Sequence, residues 1–163
     1  MYREMRRKKQ QLSDELIKKV LDDNTNGILG VIGEEGYPYT IPLSYVYLNG
    51  NIYFHSAKSG HKVDAIQKNS KVSFTVVDED TIVSEEFTSY FRSVIAFGQA
   101  SIIESEEERN VAFRALMEKY SKNESIEAKE KELESGGPHA LIIKVCIEHI
   151  TGKEAIEYSR DRT

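Results

Sequence analysis

The stretch Phe54-His55-Ser56-Ala57-Lys58-Ser59-Gly60-His61-Lys62 gathers the residue types that hold a phosphate. A β-type pattern ends and a helical one begins within it. Amide N–H groups at a helix start lack partners and carry partial positive charge, which suits an anion. Ser56 and Ser59 offer hydroxyl donors, Gly60 lets the backbone approach closely, and Lys62 adds a full positive charge. These features read as a phosphate cradle; the same residues also suit an ordinary strand-to-helix turn with a capping serine. His55 and His61 stand six apart with no third ligand in view. Cysteine-based zinc spacings and HExxH are both absent, so no metal site is expected. His55, at the end of a strand, reads as a polar group facing a substrate or a ring, or as a hydrogen-bonded structural histidine.

Other chemistries lack their signatures. Gly27, Gly30 and Gly33 recur every third residue in a β-type run, which is not GxGxxG. Thr151-Gly152-Lys153-Glu154 lacks both the upstream glycine and the hydroxyl of a Walker loop, and no GxSxG elbow occurs. Cys146 lies in an apolar strand and is expected to be buried and inert. As the single cysteine it excludes an intrachain disulfide and fits a reducing cytosol. The 163 residues suit one domain, 1–163, with 39% apolar residues and a net charge of -5. That balance disfavours nucleic-acid binding, and no apolar run is long enough for a membrane helix. No apolar segment follows the basic start as a secretory signal requires, so a cytoplasmic location is expected.

The elements that would position these residues follow from periodicity. Residues 1–12 form a basic arm, with Arg3, Arg6, Arg7, Lys8 and Lys9 against Glu4 in the first ten. Such an arm is either a solvated, partly frayed terminus or a reach toward an anionic ligand or a partner subunit. Ser13 caps a short amphipathic helix carrying Leu16, Ile17, Val20 and Leu21. From Gly27 to Asp78 the period is two. Glu34-Glu35-Gly36 is a turn, Tyr37–Tyr47 an aromatic and β-branched strand, and Asn49-Gly50 a two-residue hairpin signal before a return strand ending at His55. Pro38 and Pro42 confine the first of these strands to an edge or a bulge. A short helix over 58–69, a strand from Lys71 to Val77 and a long strand from Phe87 to Ile103 with a bend at Gly98 come next. Residues 104–134 read as helical, polar in their second half, and Gly136-Gly137-Pro138 ends them before a last strand, Ala140–Ile147. The fold class is mostly β, a β-barrel with flanking helices and hairpin-connected antiparallel strands.

In this order the motifs resemble the flavin-binding split-barrel family related to pyridoxamine 5'-phosphate oxidase, and within it the nitroimidazole-resistance (Nim) group. The resemblance rests on Met5-Arg6-Arg7, on Gly36-Tyr37-Pro38-Tyr39 with Ile41-Pro42, and on Phe54-His55-Ser56-Ala57 with Gly60-His61-Lys62. Asn69 before the Lys71–Phe74 strand, Ser93-Val94 with Gly98, and Ile150-Thr151-Gly152-Lys153 complete it, so it runs through nearly the whole chain. It implies a six-stranded antiparallel split barrel that works as a homodimer with FMN at the subunit interface. It implies further that Tyr39, Thr40, Ile41 and Pro42 lie against the flavin ring. Ser56, Ala57, Gly60, His61 and Lys62 would hold the phosphate, Ser93 and Val94 would lie near the ring or ribityl chain, and His55 would touch the substrate. The expected activity is an FMN-dependent oxidoreductase passing electrons from a small-molecule donor to a small acceptor, nitroaromatics included. The arginine-rich pyridoxal phosphate pocket of true pyridoxamine phosphate oxidases is not recognisable. A flavin carrier or redox sensor without turnover, and a barrel-like interaction domain without cofactor, are the alternatives.

Overall fold

The computed structural model describes residues 2–160. Helix α1 (Asp14–Asp23) starts where expected, its N-cap Ser13 accepting the Leu16 N–H, and turns Ile17, Val20 and Leu21 inward. Seven strands follow: β1 (Asn26–Ile32), β2 (Pro38–Ser44), β3 (Val46–Leu48), β4 (Asn51–Ser56), β5 (Lys71–Val83), β6 (Thr88–Ile102) and β7 (Leu141–Glu154). Helix α2 (His61–Lys68) separates β4 from β5. Helices α3 (Glu106–Tyr120) and α4 (Ile126–Ser135) lie between β6 and β7, and α5 (Ile156–Arg160) follows β7. All strands join one antiparallel sheet in the order β2-β1-β5-β6-β7-β4-β3, curled so that β2 comes back beside β4.

One strand more than expected arises at Tyr45. The run from Tyr37 to Tyr47 pairs first with β1 and then, as β3, with β4. The fully buried Tyr45 stands at the switch between partners and would leave its backbone polar groups unpaired. The Tyr120 hydroxyl on α3 satisfies them: it accepts the Tyr45 N–H at 2.8 Å and lies 2.8 Å from the Tyr45 carbonyl. The prolines sit as predicted, because β2 pairs with β1 alone. The bend at Gly98 is a register shift in the β6–β7 ladder, where a β-carbon would come within 2.1 Å of the Cys146 carbonyl oxygen.

The helical segment 104–134 divides. α3 ends at Tyr120, and Ser125 then caps α4 by accepting the Ala128 N–H, so each piece has its own start signal. The last strand runs on to Glu154 rather than ending at Ile147. Cys146 is exposed, contrary to expectation. Strand alternation turns its neighbour Val145 inward and Cys146 out, and an apolar run does not tell which parity is buried. One core fills the barrel, around Leu29, Tyr45, Phe54, Phe74 and Val94. A second, with Val46, Tyr53, Ile103, Ala112 and Leu116, lies beneath α3.

Candidate functional site

The turn from β4 into α2 has the form of an anion cradle. Gly60 is the N-cap of α2 at φ 130° and ψ 167°, a conformation that only glycine takes readily, and no side chain caps the helix. The Gly60 carbonyl accepts from Val63 and Asp64 at 2.9 and 3.1 Å. The first amides of the helix, those of His61 and Lys62, therefore remain available at its positive end. Ser56 is buried at the end of β4, while Ala57, Lys58 and Ser59 are exposed around the turn. Lys62 is half-buried. Its Nζ stands 5.5 Å from the centroid of the Phe54 ring, it makes no ion pair among the described residues, and burial pulls its pKa below the usual lysine range. A cation that sinks toward the core without a carboxylate is a charge in need of an anion.

The His61 side chain faces the β1–β2 turn. Its ring stacks on Tyr39 at 4.2 Å and 12°, and its Nε2 accepts the Glu34 N–H at 3.3 Å. Nε2 therefore carries no proton in this arrangement. The ring ties the β1–β2 turn to the start of α2, and Gly33 permits the approach, since a β-carbon there would lie 3.1 Å from His61 Nε2. Through this contact Tyr39 and the cradle come together, although they are more than twenty residues apart in the chain.

β2 alternates. Tyr39, Ile41 and Leu43 pack against the barrel core, and Thr40, Pro42 and Ser44 are exposed. Ile41 can therefore meet a ligand on the outer face only through its backbone. The same holds for Val94, which is buried in the core, whereas its neighbour Ser93 is partly exposed. Thr40 and Pro42 belong to two rows that cross the sheet by register: Thr40, Gly30, Ser73 and Phe97, and beside it Pro42, Ile28, Thr75 and Ile95. Ile28, Ile32, Val77, Ile95 and Phe97 stand exposed on this face, a contiguous apolar surface of the kind that marks an interaction site.

His55 points the other way. Along β4, Ile52 and Phe54 enter the barrel core, while Tyr53 belongs to the cluster beneath α3. His55 shares the parity of Tyr53 and is exposed at a cavity of about 370 Å³. Ser44, Phe113, Leu116, Met117 and Tyr120 are among its other walls, and Glu132 and Gly136 close it from α4 and the segment after it. The cavity thus sits on the opposite face of β4 from Ser56. Ser44 links the two regions, because it lies on the same exposed row of β2 as Thr40 and Pro42. Helix α4 buries none of its residues. It is held to α3 by the Arg114–Glu130 fork, with Nη2 to Oε2 at 3.0 Å, and by Lys129 to Glu118 at 2.9 Å. Arg109 fixes the segment after it by donating to the Gly137 and Ala140 carbonyls at 2.8 and 3.0 Å.

The cavity wall from α3 was visible in the sequence only as a partial apolar stripe. Phe113, Leu116, Met117 and Tyr120 read as core because nothing local shows that His55 faces them. No group of three or more acidic, histidine or cysteine side chains placed to hold a metal occurs among the described residues, and none of their helices is long and apolar enough to cross a membrane.

Comparison with known proteins places this geometry. The sequence profile described as pyridoxamine 5'-phosphate oxidase matches residues 13–154. A comparison with curated proteins returned no match. Among solved structures, the chain resembles a candidate 5-nitroimidazole antibiotic resistance protein from Bacteroides thetaiotaomicron at 24% identity and a TM-score of 0.74, covering 88% of this chain and 86% of that one. It resembles a conserved hypothetical protein from Mycobacterium tuberculosis at 20% identity and a TM-score of 0.80, over 93% and 90% of the two chains. An FAD and heme binding protein from Mycobacterium smegmatis is similar at 18% identity and a TM-score of 0.72, over 90% of this chain and 73% of that one. At these identities the likeness is one of fold.

Proposed function

Because the chain belongs to the pyridoxamine 5'-phosphate oxidase family, we propose that it is an FMN-binding oxidoreductase, working as a homodimer with the cofactor at the subunit interface. The observation that carries this reading is Lys62, a half-buried cation with no acidic partner among the described residues, beside the first amides of a helix whose glycine cap leaves room for a ligand. A terminal phosphate dianion complements that set of donors. Ser56 and the His61 and Lys62 amides hold the phosphate; the His61 ring braces the cradle against Tyr39. Thr40 and Pro42 meet the flavin ring on the exposed row of β2, with Ile41 contributing backbone, and Ser93 approaches it from β6. Two further features support a second copy: the exposed apolar sheet face, and the position of Thr40, Pro42 and Ser93 on that same face.

Bound flavin supplies the electron transfer between a donor and an acceptor. The chain's own part is to position, to exclude water and to manage protons. The cavity at His55 takes a small, largely apolar acceptor, and nitroaromatic compounds fit that description. Phe113, Leu116 and Met117 shield the acceptor from water, and His55 hydrogen-bonds it or gives it a proton. The resemblance to a candidate nitroimidazole resistance protein and to flavin-binding proteins agrees with this assignment.

The test is the visible spectrum of the purified protein, with chromatography of whatever heat releases, followed by multiple-turnover assays with NADH or NADPH and a nitroaromatic acceptor. Twin oxidised-flavin bands with FMN recovered and sustained turnover are expected. Recovery of FAD would change the cofactor. Bound FMN without turnover would make the protein a flavin carrier. A colourless protein that takes up no added flavin would overturn the reading.

A further inference from the structure

The amino-terminal arm is a second place where charge and shape coincide. Its first ten residues carry +4 although the whole chain carries -5. The arm does not trail into solvent. Tyr2 stacks on His149 at 4.5 Å and 6°, and its hydroxyl donates to Glu148 at 2.6 Å. At the other end, the buried Gln10 donates to the Glu154 carbonyl at 2.9 Å and the Leu12 N–H to the Gly152 carbonyl at 3.0 Å. Pinned at both ends, the segment between them borders a cavity of about 330 Å³ lined by Met5, Arg6, Arg7, Phe91 and Lys153. Lys153 Nζ stands 5.3 Å from the centroid of the Phe91 ring.

Among the described residues no carboxylate lines this cavity. The acidic residues nearest in the chain face other cations: Glu4 pairs with Lys8 at 2.9 Å, and Glu154 meets Arg92 at 3.5 Å. Arg6, Arg7 and Lys153 line this one cavity, and an anion held in it meets three positive charges. Guanidinium forks match phosphate oxygens in pairs, and the lysine adds a point charge. We propose that Arg6, Arg7 and Lys153 form a binding site for a phosphate or diphosphate group, distinct from the cradle at Gly60. The two lie at opposite ends of β7: Leu141 pairs with Ser56 beside the cradle, and Lys153 is close to the far terminus. The diphosphate of a nicotinamide dinucleotide donor carries this chemistry, an assignment that rests on the proposed oxidoreductase function.

The experiment titrates the full-length protein with inorganic pyrophosphate by calorimetry. With FMN in the cradle, one pyrophosphate site is expected in the natural protein; a second should appear once the cofactor is removed, and Lys62→Ala should weaken only that second one. Arg6→Ala/Arg7→Ala/Lys153→Ala should weaken the arm site by roughly tenfold or more per contact, and leave the cradle intact. If the triple variant folds poorly, Arg6→Ala/Arg7→Ala changes only exposed arm residues and gives the same reading. Unchanged pyrophosphate binding in these variants overturns the proposal, whether or not the cradle holds a flavin. The source is then read separately. A raised KM for NADPH at constant kcat assigns the site to the donor; weaker retention of FMN but not of riboflavin shows that the arm serves the cofactor phosphate and overturns the separation from the cradle.

Discussion

Replacing Lys62 with methionine removes the charge at the cradle while keeping an unbranched side chain of similar length over Phe54. A hydrogen bond to a charged group contributes about 1.5–3 kcal/mol, so FMN should bind roughly 10- to 150-fold more weakly. Riboflavin has no phosphate and should bind the variant as it binds the natural protein. The protein without cofactor should respond in the opposite sense. Burial lowers the Lys62 pKa in the folded state, so the fold disfavours the protonated form. The cost is fully present below the folded pKa and fades as pH rises through it toward the unfolded value. At neutral pH the cofactor-free variant should therefore unfold at an equal or higher temperature, less about 0.5 kcal/mol for the lost contact with the Phe54 ring. Flavin fluorescence titrations with FMN and riboflavin, with thermal melts of the cofactor-free proteins, give all three quantities. A change in FMN affinity below about threefold (~0.7 kcal/mol) would refute the assignment, as would an equal loss of riboflavin.

Three further outcomes follow from the packing. Gly98→Ala drives a β-carbon to 2.1 Å from the Cys146 carbonyl oxygen; because that neighbour is backbone, urea unfolding should show a loss on the order of 3 kcal/mol. Ile95→Asp places a charge on the exposed apolar face, where Ile95 is 40% exposed. Sedimentation velocity should show monomers, and an unchanged dimer would remove this face as the interface. Glu130→Lys breaks the Arg114 pair that holds α4 over the His55 cavity. The pair is exposed, so global stability should fall by less than about 1 kcal/mol. KM for the acceptor should rise, and an unaffected KM would show that α4 does not shape that site.

The strand-to-helix turn at Gly60 was legible in the sequence because its parts are local. A strand end, a glycine, a helix start and a lysine lie within nine residues, and the physics of a helix terminus needs nothing from afar. The Ser13 cap, the Asn49-Gly50 turn and the edge position imposed by Pro38 and Pro42 were legible for the same reason: each is a constraint on backbone dihedrals or on a missing N–H. What the sequence could not decide was which way the side chains of these elements face. Cys146 and Val145 are neighbours in one apolar run, and only the register against β4 and β6 turns one out and the other in. His55 and Ser56 likewise diverge onto opposite faces of β4, one to the cavity beneath α3 and the other inward with Phe54. The switch of partners at Tyr45 depends on a hydroxyl seventy-five residues away. The docking of the basic arm depends on Glu154 and His149, at the other end of the chain. Local chemistry belongs to a segment and can be read along it; the choice of face, partner and neighbour is made by packing, which exists only once distant segments meet.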